Sequence, residues 1–159
     1  MMKRIAFTGA VVLSSLLSFS AMAAAPMTPE EQAASDIATR QAVFKLLSFN
    51  NGAIGGMARG APFDAAVAKA ALERIEMLST MIPEVFAKDT RAFKGTKTMA
   101  SDTIWDNKAD LAKFASDLGA AAKAAQATLA AKPNADGVKE IVQAVGPKCG
   151  ACHDRFRLK

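Results

Sequence analysis

Four stretches of this chain repeat apolar residues at intervals of three and four, and each is bounded by residues that do not continue a helix. That period is the mark of amphipathic α-helices, and it limits the chain to folds in which each helix buries one face. In the first stretch Ile37, Phe44, Leu47, Asn51 and Ile54 share a face with Arg40 and Gln41. Thr28-Pro29-Glu30-Glu31 supplies its start, a Thr cap followed by Pro at the first helical position and acids in the first turn. Gly60-Ala61-Pro62 supplies its end. Asn50-Asn51-Gly52 carries a turn signal and Gly55-Gly56 weakens the helix, yet the stripe resumes in phase at Ile54, so one helix is expected. Asp64 caps a second helix whose buried stripe is Val67, Ala71, Ile75, Leu78 and Ile82, and Pro83 marks its end. From Glu84 to Ser101 no helical stripe is present, and a connection that long is commonly functional. A third helix begins at Asp102 and carries Ile104, Leu111, Phe114, Leu118, Ala121, Ala125 and Leu129 until Lys132-Pro133-Asn134. The fourth starts near Asp136 and runs almost to the C-terminus.

Composition agrees with an all-α reading. Aromatic residues make up only 6% of the chain while Ala recurs throughout, and strands favour aromatic and β-branched side chains instead. The expected architecture is an antiparallel four-helix bundle of up-down-up-down order. Ahead of it, Met1-Met2-Lys3-Arg4, the apolar Ile5 to Phe19 and the small-x-small Ala21-Met22-Ala23 read as a secretory signal peptide. Its apolar core is shorter than the ~20 residues of a spanning helix. The expectation is a leader at 1–23, a single helical domain at 24–159, no membrane insertion after cleavage, and a periplasmic location. Of 20 basic residues, Lys3 and Arg4 belong to the leader, leaving 18 against 15 acidic ones interleaved with them. Such a balance forms no basic stripe, and nucleic-acid binding has no support.

The chemistry enters on the fourth helix. Val138, Val142, Val145, Cys149, Cys152 and Phe156 step by four, three, four, three and four, so both cysteines fall on the core-facing seam. Cys149-Gly150-Ala151-Cys152-His153 is a C-x-x-C-H motif, whose usual reading is covalent attachment of one haem c. Three residues are a little under one helical turn, so both thiols can reach the two vinyl groups along one haem edge. His153, rotated by ~100° from Cys152, can bring a ring nitrogen to the iron, and it is the chain's single His. Three other readings compete. A dithiol redox centre wants a strand–helix setting, structural zinc needs four ligands, and cysteines three apart on a helix are poorly placed for a disulfide. A haem-free bundle using Cys149 and Cys152 as a redox pair therefore stays as a remote alternative.

An exported helical chain with its one haem motif at the C-terminus resembles cytochrome c′ and its class II relatives. The resemblance covers essentially the whole mature chain. It rests on Arg40-Gln41, Gly60-x-Pro62-Phe63-Asp64, Ile104-Trp105, and Val145-Gly146 leading into Cys149-x-x-Cys152-His153-Asp154-x-Phe156-Arg157. Relatives with a low-spin haem carry a ligating Met one turn after the Arg40 position, where this chain has Phe44. The resemblance thus implies a five-coordinate, high-spin haem with His153 as its protein ligand and Phe44 packed over the open face. The low-spin electron-transfer form, like a cytochrome c-556, is the alternative. Such an open site admits nitric oxide and CO when Phe44 yields, and disfavours dioxygen, which needs a hydrogen-bond donor. The family is implied to bind gases or carry electrons without catalytic turnover, with a redox partner protein the sequence does not identify. Arg40 and Gln41 resemble its haem-propionate contacts, and a guanidinium on an apolar seam does require a partner. Arg157 resembles the basic residue beside the proximal His. Trp105 reads as packing near the haem edge, and the loop around Met99 as a cover for that edge. Met27, Met57, Met77, Met81 and Met99 otherwise read as core filler or loop. Pro147 departs from the family pattern and predicts a kink or a helix restart. A homodimer on the first two helices is also implied, with Gly52, Gly55 and Gly56 allowing close approach.

Overall fold

The computed structural model describes residues 26–159, so the expected leader at 1–23 lies outside the described residues. Four helices follow: α1 Pro29–Ala58, α2 Ala65–Val85, α3 Lys108–Ala131 and α4 Ala135–Phe156. Each packs on its neighbours in cyclic order, α1 on α2, α2 on α3, α3 on α4 and α4 back on α1. That closure makes the expected all-α, up-down-up-down four-helix bundle. Thr28 caps α1 through a reciprocal capping box with Glu31, Asp64 caps α2 through the amides of Ala66 and Val67, and Asn134 caps α4 through those of Asp136 and Gly137. The turn after α1 needs the positive φ of 107° that Gly60 adopts, a conformation L side chains avoid. Gly119 lets α3 approach α2 closely, since a side-chain carbon there would collide with the Ser79 hydroxyl.

The core takes Ile37, Ile54, Ile75, Val138 and Val145 from the predicted stripes among its fully buried side chains. It adds Leu72 and Ile141, which the stripes did not include, while Val142 is only partly buried. Several details differ from the sequence reading. Val67 is 46% exposed, because the buried face of α2 is centred one position later, on Ala68, Leu72, Ile75, Ser79 and Ile82. In α1 it is Asn50 that is buried while Asn51 is exposed; Asn50 satisfies its amide on the Leu46 carbonyl one turn back. Pro83 does not end α2, which runs on to Val85, since a proline in the last turn removes only one late donor. The third helix does not begin at Asp102. Asp102–Asp106 form a separate 3-10 turn that buries Ile104 and Trp105, and α3 starts afresh at Lys108. Pro147 produces no restart: α4 is continuous from Ala135 to Phe156. Both Pro147 and Gln143, whose carbonyl loses its usual donor, are exposed, so water can take that carbonyl.

The long connection between α2 and the 3-10 turn is fastened at both ends of its last segment. Gln41 donates to the Lys97 carbonyl at 2.8 Å. Ala100 and Arg157 form an antiparallel bridge, in which Leu158 donates to the Met99 carbonyl and Ser101 to the Phe156 carbonyl, each at 2.8 Å. Residues 97–101 thus form a strap from α1 to the end of α4.

Candidate functional site

A cavity of about 620 Å³ opens between the helices beneath this strap. Arg40, Gln41 and Phe44 reach it from α1, Met99 from the strap, and Cys149, Cys152, His153 and Arg157 from α4. The structure therefore gathers all but one of the sequence-derived site residues at one cavity. The exception is Trp105, which does not line it. Its ring stands behind Phe86, edge-on with centroids 6.0 Å apart, and its indole N–H donates to the Lys88 carbonyl at 2.9 Å.

Cys149 and Cys152 are free and half-buried, one turn apart on the seam that Val138, Val145 and Phe156 bury. Burial pushes both thiols above their ordinary pKa, which keeps them protonated near neutrality. A catalytic dithiol needs the opposite shift, so the environment argues against a redox pair. His153 is pulled below its ordinary value, first by partial burial and then by the neighbouring Arg157, with Asp154 opposing. Its imidazole is accordingly neutral at pH 7, the form that can donate a nitrogen lone pair to a metal.

Arg40 is 2% exposed and carries a buried charge without a carboxylate bonded to it. Its Nε donates to the Val85 carbonyl at 3.2 Å, and its two terminal nitrogens reach the Thr90 hydroxyl at 3.4 and 3.5 Å. The guanidinium also lies 4.3 Å from the Phe86 ring centre and 5.2 Å from that of Trp105. Burial lowers its pKa despite Asp36, a sign of incomplete compensation. Guanidinium has five N–H donors, and these bonds occupy three, leaving two for an acid brought into the cavity. Phe44 is half-buried and meets Phe86 edge-on, 6.2 Å between centroids.

Sequence reasoning missed Phe86 and Thr98, which line the cavity from within the stretch read as featureless. Phe86 could have been found, because it continues the Ile75, Ser79, Ile82 stripe of α2 past Pro83. Lys45 and Lys148 were missed as well; each is simply the neighbour of a residue that was singled out, Phe44 and Cys149.

The lining fits haem on three grounds. The volume falls within the roughly 300–1,000 Å³ of small-molecule and cofactor sites. The wall is largely apolar, from Ile75, Ile82, Leu111, Leu118 and Val145 among others. Its polar groups include two protonated thiols, a neutral imidazole and the undercompensated Arg40 guanidinium, with the cations Lys45, Lys148 and Arg157 also lining it and no carboxylate among the described lining residues.

Comparison with known proteins leads to the same group. The cytochrome C′ family profile matches residues 35–157. A cytochrome c-556 from Agrobacterium tumefaciens is 32% identical over 127 residues, covering 79% of this chain and 99% of that protein. Among solved structures, cytochrome c′ from Rhodopseudomonas palustris superposes with a TM-score of 0.70 at 34% identity, over 78% of this chain and 96% of that one. A cytochrome c′ described by an unusual ligand-controlled dimer dissociation superposes at 0.69 with 27% identity, over 85% and 100%. The chain belongs to the cytochrome c′ family, whose members carry covalently attached haem c.

Proposed function

We propose that Cys149 and Cys152 hold the haem as thioethers, that His153 is the one protein ligand of the iron, and that Phe44 screens its other face. The protein is then a five-coordinate, high-spin haem protein that binds nitric oxide or CO and exchanges electrons. When bound, the haem supplies an iron centre able to take up a diatomic ligand or a single electron. The chain's own residues set which of these occurs. His153 offers a neutral nitrogen. Arg40 holds two free donors toward the haem carboxylates and Gln41 anchors the strap above them. Phe44 has no donor, so a ligand that depends on a polar partner, such as dioxygen, gains nothing from it.

One observation carries the open-site reading: the α1 wall presents Phe44, and among the described residues the single thioether lining the cavity belongs to Met99. Met99 is what keeps the low-spin alternative in view. Its carbonyl is bonded to Leu158 at 2.8 Å, in the strap paired with the end of α4, the helix that already supplies His153. That fastening favours Met99 as a cover for the haem edge. The attachment is tested by denaturing electrophoresis and acid–acetone extraction after expression with cytochrome c maturation. Haem should stay with the wild-type polypeptide and be lost from Cys149→Ser/Cys152→Ser, whereas extraction of haem from the wild type would overturn the reading.

Residues 1–23 are proposed as a cleaved leader delivering the domain at 24–159 to the periplasm. Among the described residues no helix is long and apolar enough to cross a membrane. A homodimer on α1 and α2 is also part of the proposal. Phe49 is 69% exposed there and forms a shallow groove with Ala53, Ala66, Val67 and Ala70, while Gly52 leaves its surroundings open. Phe49→Glu should convert the protein to a monomer in sedimentation; an unchanged mass would place the contact elsewhere.

A further inference from the structure

Positive charge collects at the cavity mouth beyond what the haem carboxylates require. Lys45 on α1, Lys148 on α4 and Arg157 at the end of α4 all line the cavity, and all three are exposed. No Asp or Glu lines it among the described residues, and none of the ion pairs involves a lining residue. Elsewhere many surface cations are paired, Lys94 with Asp102, Lys113 with Asp117, Lys132 with Glu140 and Arg155 with Asp110. The unpaired ones such as Arg74 and Lys123 lie away from the lining, so the rim is marked by three unpaired cations sharing one mouth. Two acids bear on the rim. The Asp117 carboxyl is held low mainly by Lys113 and only secondarily by Lys148, and Asp154 partly offsets Arg157 at His153.

We propose that this rim is the docking face for an acidic one-electron redox protein. Its surface carboxylates would meet Lys45, Lys148 and Arg157 while one electron passes between its redox centre and the haem. In the reducing direction the partner loses the electron, the ferric iron gains it and becomes ferrous, and no proton moves. Lys148 directly precedes Cys149, so a cation that would meet the partner stands next to the site of haem attachment. Uncompensated charges around a concave mouth focus the field and raise on-rates for oppositely charged partners by about 10 to 10³. Rim charges of this kind act on encounter more than on final affinity. The proposal rests on the haem being seated in this cavity through Cys149 and Cys152.

The test oxidises the ferrous holoprotein in a stopped-flow instrument with anionic ferricyanide and, separately, with cationic tris(phenanthroline)cobalt(III), over a range of ionic strength. Poly-L-glutamate serves as a competitor bearing the partner's chemistry. Ferricyanide oxidation should slow with added salt and cobalt oxidation quicken. Lys45→Glu/Lys148→Glu should slow ferricyanide about tenfold at low salt, while the same net charge change in Lys69→Glu/Lys123→Glu, away from the lining, changes it less than twofold. Polyglutamate should slow the wild type and not the rim variant. Equal slowing of both double variants, or no effect of polyglutamate, overturns the rim as a docking face. Haem content is read first, so loss of haem from the wild type counts against the attachment, and equal rates at full haem content count against the rim. Should Lys45→Glu/Lys148→Glu fail to fold, Lys45→Gln/Lys148→Gln set against Lys69→Gln/Lys123→Gln makes the comparison at half the charge change.

Discussion

Truncating Phe44 to Ala removes the side chain proposed to gate the iron's free face. Phe44 is half-buried, lines the cavity and meets Phe86 edge-on at 6.2 Å with the rings inclined by 67°. On the proposed gate a ligand passes only when the ring swings off that contact. The aromatic pair is worth about 0.5–1.5 kcal/mol beyond area burial. Exposing the buried half of a Phe side chain costs about 1 kcal/mol more, roughly half the value for full burial. The gate is then about 2 kcal/mol high, which corresponds to about 30-fold in rate. Flash photolysis of the ferrous CO form of Phe44→Ala should show association about 30-fold faster than wild type, with dissociation little changed. Urea unfolding of the same variant should show a loss of about 2 kcal/mol, less than the about 3–5 kcal/mol of a fully buried Phe→Ala change. An association rate within a factor of two of wild type, in a protein with an unaltered Soret spectrum, would refute the gate and the placement of Phe44 over the iron.

Three further outcomes are expected. Phe44→Met should convert the ferric haem toward a low-spin spectrum while Met99→Leu leaves the wild-type spectrum unchanged; the reverse pattern would make Met99 the sixth ligand. Arg40→Met should lower stability by at least about 2 kcal/mol in denaturant titration, because it strips a charged donor from the Val85 carbonyl and the Thr90 hydroxyl. In the haem-free chain, burial holds both thiols above their ordinary pKa, so less thiolate is present at any given pH. Iodoacetamide at pH 8 should therefore alkylate the folded chain more slowly than the urea-unfolded one, and the difference should close as pH rises; faster reaction in the folded chain would revive the dithiol reading.

The four helices were legible through local rules: a Thr28 start, an Asp64 cap, and stripes such as Val138, Val145 and Phe156. The start of α3, which has no side-chain cap, was misplaced by six residues, and the Asn134 cap of α4 was read only as a helix stop. The C-x-x-C-H motif was legible from its spacing, and the Arg40, Gln41, Phe44 cluster from the family resemblance, with the helical period adding only that these residues share one side of the first helix. What the sequence hid depends on contacts between distant segments. The partners of Arg40 come from Val85 and Thr90, forty-five and fifty residues away, where no stripe announces them. The strap at 97–101 exists through pairing with residues 156–158, which no local pattern encodes. Trp105 was placed at the haem edge by likeness, yet the 3-10 turn sets it behind Phe86. Val67 shows how a one-residue shift in the centre of a stripe moves a side chain from core to surface.

The coordination of the ferric iron is the most direct test of the central claim, that His153 is the one protein ligand and Phe44 leaves the other face open. Absorption, EPR and resonance Raman spectra of the purified holoprotein near neutral pH read it together. The expected result is a high-spin, five-coordinate ferric haem that also stays five-coordinate on reduction and takes up CO. A low-spin ferric spectrum with a methionine-to-iron charge-transfer band would contradict the account and place a thioether on the face assigned to Phe44.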